Sequence, residues 1–448
     1  MEPEQEYDGA VNSKIHYLFA NKKNSQKINK AQKSENSAQK NSSTKNLSTV
    51  VKEVKKLKPT IPVYFIRPNS IKRAVKFFIE NFQNKKFGND ILYSVKSNPD
   101  IEVLKHLFAS GIKHFDVASL DEIKLINELF GNAAKMYFMH PIKSREAIFA
   151  AYFDYGIRDF SFDSSDELTK ILKVTNNAKD LGLHLRLAIP NSHAAIDLSS
   201  KFGILPSEAT SLIRKARTVA KKFGICFHVG SQCMDPIEYR NALTITKEVL
   251  QQAKVAVDVI DIGGGFPSSY PGMTPPDLRC YFDEIFDAIN HLGFKDCKIW
   301  CEPGRALVAE AGSLLVRVEG KKKAMLYLND GTYGGLFDAG FPGFIYPTKV
   351  VRIKNKEALS TTKIPFGFFG PTCDSLDVMK GPFYLPENIS EGDYIEIGQL
   401  GAYSRSIRTN FNGFNQNLQI EVADEPLVSM YKEIEEQSDE QKEELALF

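Results

Sequence analysis

Eight short apolar runs recur through the middle of the chain, and most of them end in polar or glycine-rich residues. They lie at Ile91–Val95, Phe115–Ala118, Met136–Met139, Phe160–Phe162, Leu183–Leu187, Ile225–Val229, Val257–Ile262 and Lys298–Cys301. Helix-period segments separate most of the runs, and strands that alternate with helices pair in parallel. Eight such units predict a (β/α)8 barrel, whose functional side chains sit at the carboxyl ends of the strands. Because those ends hold a lysine, histidines, carboxylates, an arginine and glycine turns, the pattern is typical of an enzyme.

The chain is too long for one ordinary domain. Its 448 residues suggest two domains and tails. We expect the barrel to span 70–310, preceded by a strand within 56–69 that joins the second domain. Short alternating strands separated by Gly, Pro and Asn turns predict an all-β C-terminal domain over 311–424.

Both ends of the chain have a composition that is unlike the middle. Residues 1–55 are rich in Lys, Asn and Ser and bury too little apolar surface to offset ordering entropy, so a disordered tail is predicted. Residues 425–448 are acidic with scattered apolar positions, which predicts a tail or a surface helix.

Composition excludes several classes of protein. A net charge of +2 gives no electrostatic case for nucleic acid or membrane partners. No apolar run approaches the length of a membrane span, and the acidic N-terminus lacks the pattern of a signal peptide, so we expect a cytoplasmic protein. Six scattered cysteines without a CxxC pair make a disulfide framework improbable. Cys373, beside two carboxylates, is a poor metal ligand because no matching histidines or cysteines lie nearby in the sequence.

Lys96 follows the first apolar run of the predicted barrel. A lysine desolvated at a barrel mouth has a lowered pKa, which frees its amine for Schiff-base chemistry. A solvated loop lysine is an equally good interpretation of this motif alone.

Two glycine turns, Gly263–Gly265 and Pro303-Gly304-Arg305, follow the last two predicted strands, where barrels often bind phosphate. Glu302 precedes the second turn, and a carboxylate there could keep a pyridine nitrogen protonated. His228 could stack on a flat cofactor, although a lone histidine is more often structural. Lysine, phosphate turns and carboxylate together indicate pyridoxal phosphate (PLP).

Seven ordered motifs between about Thr60 and Phe414 resemble the PLP-dependent decarboxylases of basic amino acids with the alanine-racemase fold, the ornithine decarboxylase family. They are Tyr93-Ser94-Val95-Lys96, Phe227-His228-Val229-Gly230-Ser231, Gly263-Gly264-Gly265-Phe266-Pro267, Glu302-Pro303-Gly304-Arg305, Asn329-Asp330-Gly331, Gly370-Pro371-Thr372-Cys373-Asp374 and Phe411-Asn412-Gly413-Phe414.

The resemblance implies a role for each site residue. Lys96 would carry the cofactor, His228 would stack on its ring, Glu302 would pair with its ring nitrogen, and Cys373 would return a proton after carbon dioxide leaves. The remaining cofactor-binding residues would be Asp116, Arg186, Ser231, Gly265, Gly304, Arg305 and Tyr403. The substrate-binding residues would be Tyr333, Asp374, Asp377 and Phe411, with Asp374 on the distal amine.

The resemblance also implies a homodimer in which Cys373 and Asp374 complete the partner's site. The implied activity is decarboxylation of L-ornithine to putrescine in polyamine biosynthesis. One departure concerns the substrate, because Phe341-Pro342 stand where eukaryotic members have a Tyr-Asp pair, and Asp338 is out of register.

Other functions remain open at this point. A hydrophobic pocket rejects an extra methylene by only about 1–3 kcal/mol, so a lysine/ornithine enzyme is an alternative. Gln232 resembles the bacterial branch and the diaminopimelate decarboxylases, but Asp374 stands where the latter have glutamate. An inactive regulator similar to an antizyme inhibitor is disfavoured because Lys96, His228, Glu302, Arg305 and Cys373 are all present. A racemase of the same fold is disfavoured by the Cys373-Asp374 pair.

Overall fold

The computed structural model describes residues 47–431, apart from 84–87, 191–193, 197–199 and 354–356. Its central feature is a closed barrel of eight parallel strands, which confirms the predicted (β/α)8 architecture. The barrel strands, in order around the barrel, are β2 (Asp90–Ser94), β3 (His114–Val117), β4 (Lys135–Phe138), β5 (Asp159–Phe162), β6 (Gly182–Arg186), β8 (Lys222–Cys226), β10 (Val259–Asp261) and β11 (Lys298–Cys301).

Helices follow the barrel strands, and polar side chains between strand and helix begin several of them. Ser119 and Ser164 each accept a hydrogen bond from the backbone N–H three residues on, which satisfies an otherwise unpaired helix donor. The described α-helices are α1 (Val50–Leu57), α2 (Pro68–Phe78), α3 (Ile101–Ser110), α4 (Leu120–Phe130), α5 (Arg145–Phe149), α6 (Ser165–Val174), α7 (Pro206–Val219), α8 (Ile237–Ala253), α9 (Leu278–Leu292), α10 (Arg305–Val308) and α11 (Phe337–Gly340). None of these described helices is long and apolar enough to cross a bilayer.

Side chains fill part of the barrel interior. Trp300 and Tyr137 belong to one buried cluster and meet edge to face, with ring centroids 4.7 Å apart. His184 lies 4.9 Å from the Trp300 ring and bonds Asp159 through Nε2 at 2.8 Å. A barrel filled in this way is a packed core, so a ligand must bind at its open carboxyl end.

A second, mixed sheet follows the barrel and also includes the strand that precedes it. Strand β1 (Val63–Ile66) pairs antiparallel with β12 (Gly312–Lys322) and parallel with β18 (Leu418–Glu421). The other strands of this sheet are β13 (Met325–Leu328), β14 (Thr348–Val351), β15 (Lys363–Phe369), β16 (Val378–Pro386) and β17 (Tyr394–Ile397). A separate ribbon pairs β7 (Ala194–Ile196) with β9 (Ser231–Cys233).

The N-terminal tail was predicted to extend to residue 55, and this boundary is wrong. Helix α1 begins at Val50, and Val50 and Val54 are buried in a cluster with Tyr394 of β17. The sequence gives little sign of this helix, because only Val50 and Val54 form its buried face and the surrounding residues are rich in lysine. The rest of the predicted tail, 1–46, lies outside the described residues.

Residues 425–431, the start of the predicted acidic tail or surface helix, lie against the barrel. Tyr431 is buried, its hydroxyl donates to Ala306 O at 2.7 Å, and its ring lies 5.5 Å from that of Phe77. Ser429 donates to Glu310 at 2.6 Å. Residues 432–448 lie outside the described residues.

Candidate active site

Lys96 lies in the short 3-10 turn that ends β2, at the carboxyl mouth of the barrel. Its Nζ is 2.9 Å from Asp116 Oδ2, at the end of the neighbouring strand β3. The same oxygen accepts a hydrogen bond of 2.9 Å from the Ser94 hydroxyl. Asp116 is buried, whereas the Lys96 side chain is 45% exposed. The Lys96 side chain therefore lies in an open cleft, where its ammonium group is paired with the buried Asp116 carboxylate.

The ionisation of Lys96 differs from the prediction of a lowered pKa. Burial alone would lower its pKa, but the charges of Asp116 and Glu302 outweigh this and raise the pKa above its usual value. Burial is the largest single influence, but the two carboxylates together outweigh it and decide the direction. The lysine of the cofactor-free chain is a stable ammonium.

Glu302 lies just beyond the end of β11, with its carboxylate buried. Its Oε1 has no hydrogen-bond partner among the described residues. Burial, together with the negative charges of Asp116 and Asp261, raises the pKa of Glu302 well above its usual range. A buried carboxylate oxygen without a partner is costly, and a donor arriving from a ligand would remove that cost.

Asp261, which the sequence analysis missed, ends β10 and is buried. It accepts the Gly263 N–H at 2.9 Å, and burial raises its pKa to about 6. Its position just before the glycine run Gly263–Gly265 is the sequence feature that could have identified it as a site residue. Asp261 fixes the start of the first glycine turn and adds negative charge beside Glu302.

His228 follows β8 and faces the same mouth. Burial, with the positive charges of Arg186 and Lys96, lowers its pKa well below the usual value, so the imidazole is neutral. The Gly230 N–H donates to Nδ1 at 3.0 Å, which places the proton of the neutral ring on Nε2. A Cβ at Gly264 would lie 2.7 Å from Glu302 O and 3.1 Å from His228 Nε2, so only glycine fits between them.

Arg305 begins α10, directly after the second glycine turn, and its guanidinium is buried. It donates to Ser231 Oγ at 3.2 Å and to Tyr270 OH at 2.8 Å. The Tyr403 ring lies 4.9 Å away. These contacts bring together three of the predicted phosphate-binding residues, and Tyr270 is an addition that the sequence alone did not single out. A cation next to hydroxyl donors and glycine turns suits a phosphate group.

Three other predicted cofactor residues border this region. A Cβ at Gly304 would lie 2.9 Å from the Ser97 side chain, and Gly265 has a φ of +101°. The guanidinium of Arg186, at the end of β6, lies 5.4 Å from the Phe202 ring, and its charge acts on His228. The structure therefore gathers all ten predicted cofactor-binding residues around the carboxyl mouth of the barrel.

Asp338, in α11, is buried against Arg305, with its Oδ2 3.5 Å from the guanidinium. It therefore lies beside Arg305, a residue predicted to bind phosphate.

The predicted substrate residues form a second group, on the β-domain. Tyr333 OH donates to Asp374 Oδ2, and the Tyr333 and Phe411 rings lie 5.1 Å apart. The backbone N–H of Cys373 donates to Asn412 Oδ1 at 3.0 Å. Hydrogen bonds from the Leu376 N–H and then the Tyr333 hydroxyl lower the pKa of Asp374. Cys373 and Phe411 are exposed, as is Leu376 at 71%.

Asp377 does not line this surface as predicted. It is buried, and its carboxylate accepts hydrogen bonds from the Thr332 N–H at 2.7 Å and the Thr372 hydroxyl at 2.7 Å. Because its oxygens are engaged by the turn that carries Cys373 and by the segment before Tyr333, Asp377 holds these two segments together.

The barrel residues match a known family. The family model described as the pyridoxal binding domain of pyridoxal-dependent decarboxylases matches residues 68–309. The chain belongs to the ornithine decarboxylase family. PLP is accordingly its cofactor, and the unpaired Glu302 oxygen and the Arg305–Ser231 group fit the two ends of that molecule.

Members of the ornithine decarboxylase family resemble this chain over most of their length. A lysine/ornithine decarboxylase from Selenomonas ruminantium is 32% identical over 378 residues, which is 83% of this chain and 92% of the relative. Mouse ornithine decarboxylase is 31% identical, with 77% of each chain covered. Antizyme inhibitor 2 from Xenopus laevis is 32% identical, covering 72% of this chain and 74% of the relative.

Solved structures agree with this family assignment. Lysine decarboxylase from Selenomonas ruminantium superposes with a TM-score of 0.71 at 31% identity, covering 84% of this chain and 96% of that one. Arginine decarboxylase from Paramecium bursaria Chlorella virus superposes with a TM-score of 0.73 at 27% identity, covering 83% and 99%. The family thus includes neighbours named for lysine, ornithine and arginine.

Proposed function

We propose that this family member is an active PLP-dependent decarboxylase that converts L-ornithine to putrescine. The observation that carries the proposal is the intact cofactor site at the barrel mouth. Lys96 reaches into the cleft, Glu302 presents a buried unpaired oxygen, and Arg305 is held beside Ser231. A chain that had lost the reaction would have no reason to retain the costly buried carboxylate.

PLP, when bound, supplies a conjugated ring that accepts the electron pair left behind as carbon dioxide departs. Lys96 is the amine that would bond the cofactor's aldehyde carbon. Glu302 would pair with the ring nitrogen, and the negative charges of Asp261 and Asp116 beside it would favour a positive, protonated nitrogen there. His228, as a neutral ring, would lie against the cofactor without adding a positive charge.

The phosphate end would be held by Arg305 and Ser231, with the Gly265 and Gly304 turns and with Tyr403 beside Arg305. Arg186, whose charge acts on His228, would support the cofactor pocket. Tyr403 donates its backbone N–H to Ser97 O at 2.9 Å, which ties the β-domain to the turn that carries Lys96. The β-domain would therefore contribute Tyr403 to a cofactor site that the barrel otherwise builds.

We assign proton return to the Cys373 thiol and distal-amine binding to Asp374. Both side chains sit on an exposed turn beside exposed Leu376 and Phe411, not buried within their own chain. This exposure supports a homodimer in which the turn enters the partner's cleft, so that each site is built from two chains.

The proposed site selects only weakly for the length of the substrate side chain. Asp374 is the carboxylate available on the exposed turn, because Asp377 is engaged by backbone donors and Asp338 by Arg305. One carboxylate can adjust to the distal amine of a substrate that is longer by one methylene more easily than two carboxylates can. The lysine/ornithine relative from Selenomonas ruminantium adds support for dual use as the second candidate.

The test is a comparison of kcat/KM for ornithine, lysine, arginine and diaminopimelate with purified holoenzyme. We expect ornithine to lead, with lysine within about 100-fold, as one methylene in a pocket allows. Preference for arginine or diaminopimelate would overturn the substrate assignment. Failure to bind PLP or to release carbon dioxide from any of them would favour a regulator similar to the antizyme inhibitors.

A further inference from the structure

Arg305 has an acidic neighbour that the cofactor-binding role does not require. Asp338 belongs to α11 of the β-domain, whereas Arg305 begins the helix that follows the last barrel strand. The side chains of Arg305 and Asp338 are 4% and 5% exposed. The other groups in contact with the guanidinium in the described parts of the chain are neutral hydroxyls and rings, from Ser231, Tyr270, Phe344 and Tyr403.

The contact between the two charges is loose. Asp338 Oδ2 lies 3.5 Å from the guanidinium, and neither this oxygen nor Arg305 Nε has a hydrogen-bond partner among the described residues. The firm hydrogen bonds of Arg305 go to Tyr270 and Ser231 instead. Asp338 thus balances the charge of Arg305 while leaving its hydrogen-bonding capacity incompletely used.

We infer that Asp338 is a built-in counter-ion that stabilises the cofactor-free protein and weakens phosphate binding at Arg305. The inference rests on the proposed phosphate-binding role of Arg305. A buried cation without a partner is strongly destabilising, so the carboxylate protects the fold while PLP is absent. When a phosphate enters, two anions share one guanidinium in a poorly hydrated site, and their repulsion opposes binding.

The inference fixes the sign of two effects. Replacing Asp338 by asparagine keeps the size of the side chain and removes its charge. The cofactor-free variant should be less stable, because Arg305 is left uncompensated. The same variant should bind phosphate more tightly, because the competing anion is gone and the ligand now supplies the missing charge. A merely structural residue would lower stability without tightening binding.

The experiment uses the full-length chain stripped of PLP, titrated with PLP by absorbance and with inorganic phosphate by thermal shift. We expect Asp338→Asn to lower the Tm of the cofactor-free protein and to bind PLP about tenfold more tightly than the unmodified chain. Its rise in Tm on ligand addition should be larger, as linkage requires. Asp338→Glu retains the charge and should bind PLP like the unmodified protein.

The matched control is Glu396→Gln, which removes the carboxylate of a buried ion pair with Arg67, both 2% exposed. This control should lower Tm with and without PLP by similar amounts and leave the dissociation constant unchanged. A folded Asp338→Asn variant whose PLP and phosphate affinities are unchanged or weaker overturns the inference. If that variant does not fold, Asp338→Ser provides the same uncharged comparison.

Arg305→Ala separates this inference from the proposed site. Loss of PLP and phosphate affinity in Arg305→Ala, with no tightening in the uncharged Asp338 variants, would defeat the counter-ion role alone. Unchanged phosphate affinity in Arg305→Ala would defeat the phosphate role of Arg305 and the inference with it.

Discussion

Lys96 Nζ lies 2.9 Å from Asp116 Oδ2, across the ends of two neighbouring barrel strands. The carboxylate fixes the amine in position but also keeps it protonated, since its charge raises the pKa of Lys96. An ammonium cannot attack an aldehyde, so loading of PLP requires Lys96 to give up a proton. This relationship links the geometry of the site to the pH dependence of cofactor attachment.

Lys96→Ala is expected to abolish covalent attachment of PLP and the visible absorbance that accompanies it. No other lysine has been placed at the base of the cleft beside Asp116. Absorbance spectra after dialysis against a small amine provide the measurement. A variant that stays yellow and active would show that another amine carries the cofactor.

Asp116→Asn is expected to shift PLP attachment to lower pH. Removing the carboxylate charge lowers the pKa of Lys96, so a larger fraction of the amine is neutral at a given pH. Rates of absorbance change on mixing PLP with the stripped protein across a pH series give the two profiles. Superimposable profiles would mean that Asp116 does not control the ionisation of Lys96.

Glu302→Gln is expected to reduce kcat at least about 100-fold while the fold is retained, because the amide cannot hold a proton at the ring nitrogen. Steady-state kinetics and thermal unfolding measure the two effects separately. Asp261→Asn serves as a comparison that removes a neighbouring charge without touching the proposed contact. Turnover of Glu302→Gln near that of the unmodified enzyme would refute the electron-sink argument.

Mixing Lys96→Ala with Cys373→Ala chains is expected to restore activity, although neither variant is active in forming putrescine alone. At equal mixing half the dimers are mixed, and one of the two sites in each receives both intact residues, which gives about a quarter of full activity. Product analysis by chromatography gives the yield. No recovery after demonstrated subunit exchange would place Cys373 in the site of its own chain.

Removal of residues 1–46 is expected to leave activity and Tm unchanged, whereas removal of 1–57 lowers Tm by at least about 3 °C. The longer deletion eliminates Val50 and Val54 from a buried cluster, and each buried valine contributes about 1.5–3 kcal/mol. Scanning calorimetry of both truncated chains distinguishes the cases. Equal Tm values would show that α1 adds nothing to stability.

The barrel and its cofactor were readable from local patterns. Apolar runs at regular spacing predict parallel strands, and the residues that end them, such as Lys96 and Glu302, carry the chemistry. The sequence alone shows this pattern because a (β/α)8 barrel places the carboxyl ends of all its strands at the same face. The family motifs then assigned roles that the periodicity itself left open.

Interactions between distant segments could not be read in this way. Asp338 meets Arg305 only because the β-domain folds over the barrel mouth, and Asp377 is withdrawn from the substrate surface by donors from two separate turns. The pKa of Lys96 rises, contrary to prediction, because the carboxylates of Asp116 and Glu302, from two other strand ends, together outweigh desolvation.

The sequence by itself determined the fold class and the cofactor and predicted the residues that would hold it, since these depend on strand spacing and side-chain chemistry. Only the tertiary structure decided which charges are paired and how helix α1 and residues 425–431 pack. Charge pairing depends on distances of a few ångströms between residues far apart in sequence. The ordering of α1 and of residues 425–431 depends on apolar surfaces that exist only once the barrel and sheet have formed.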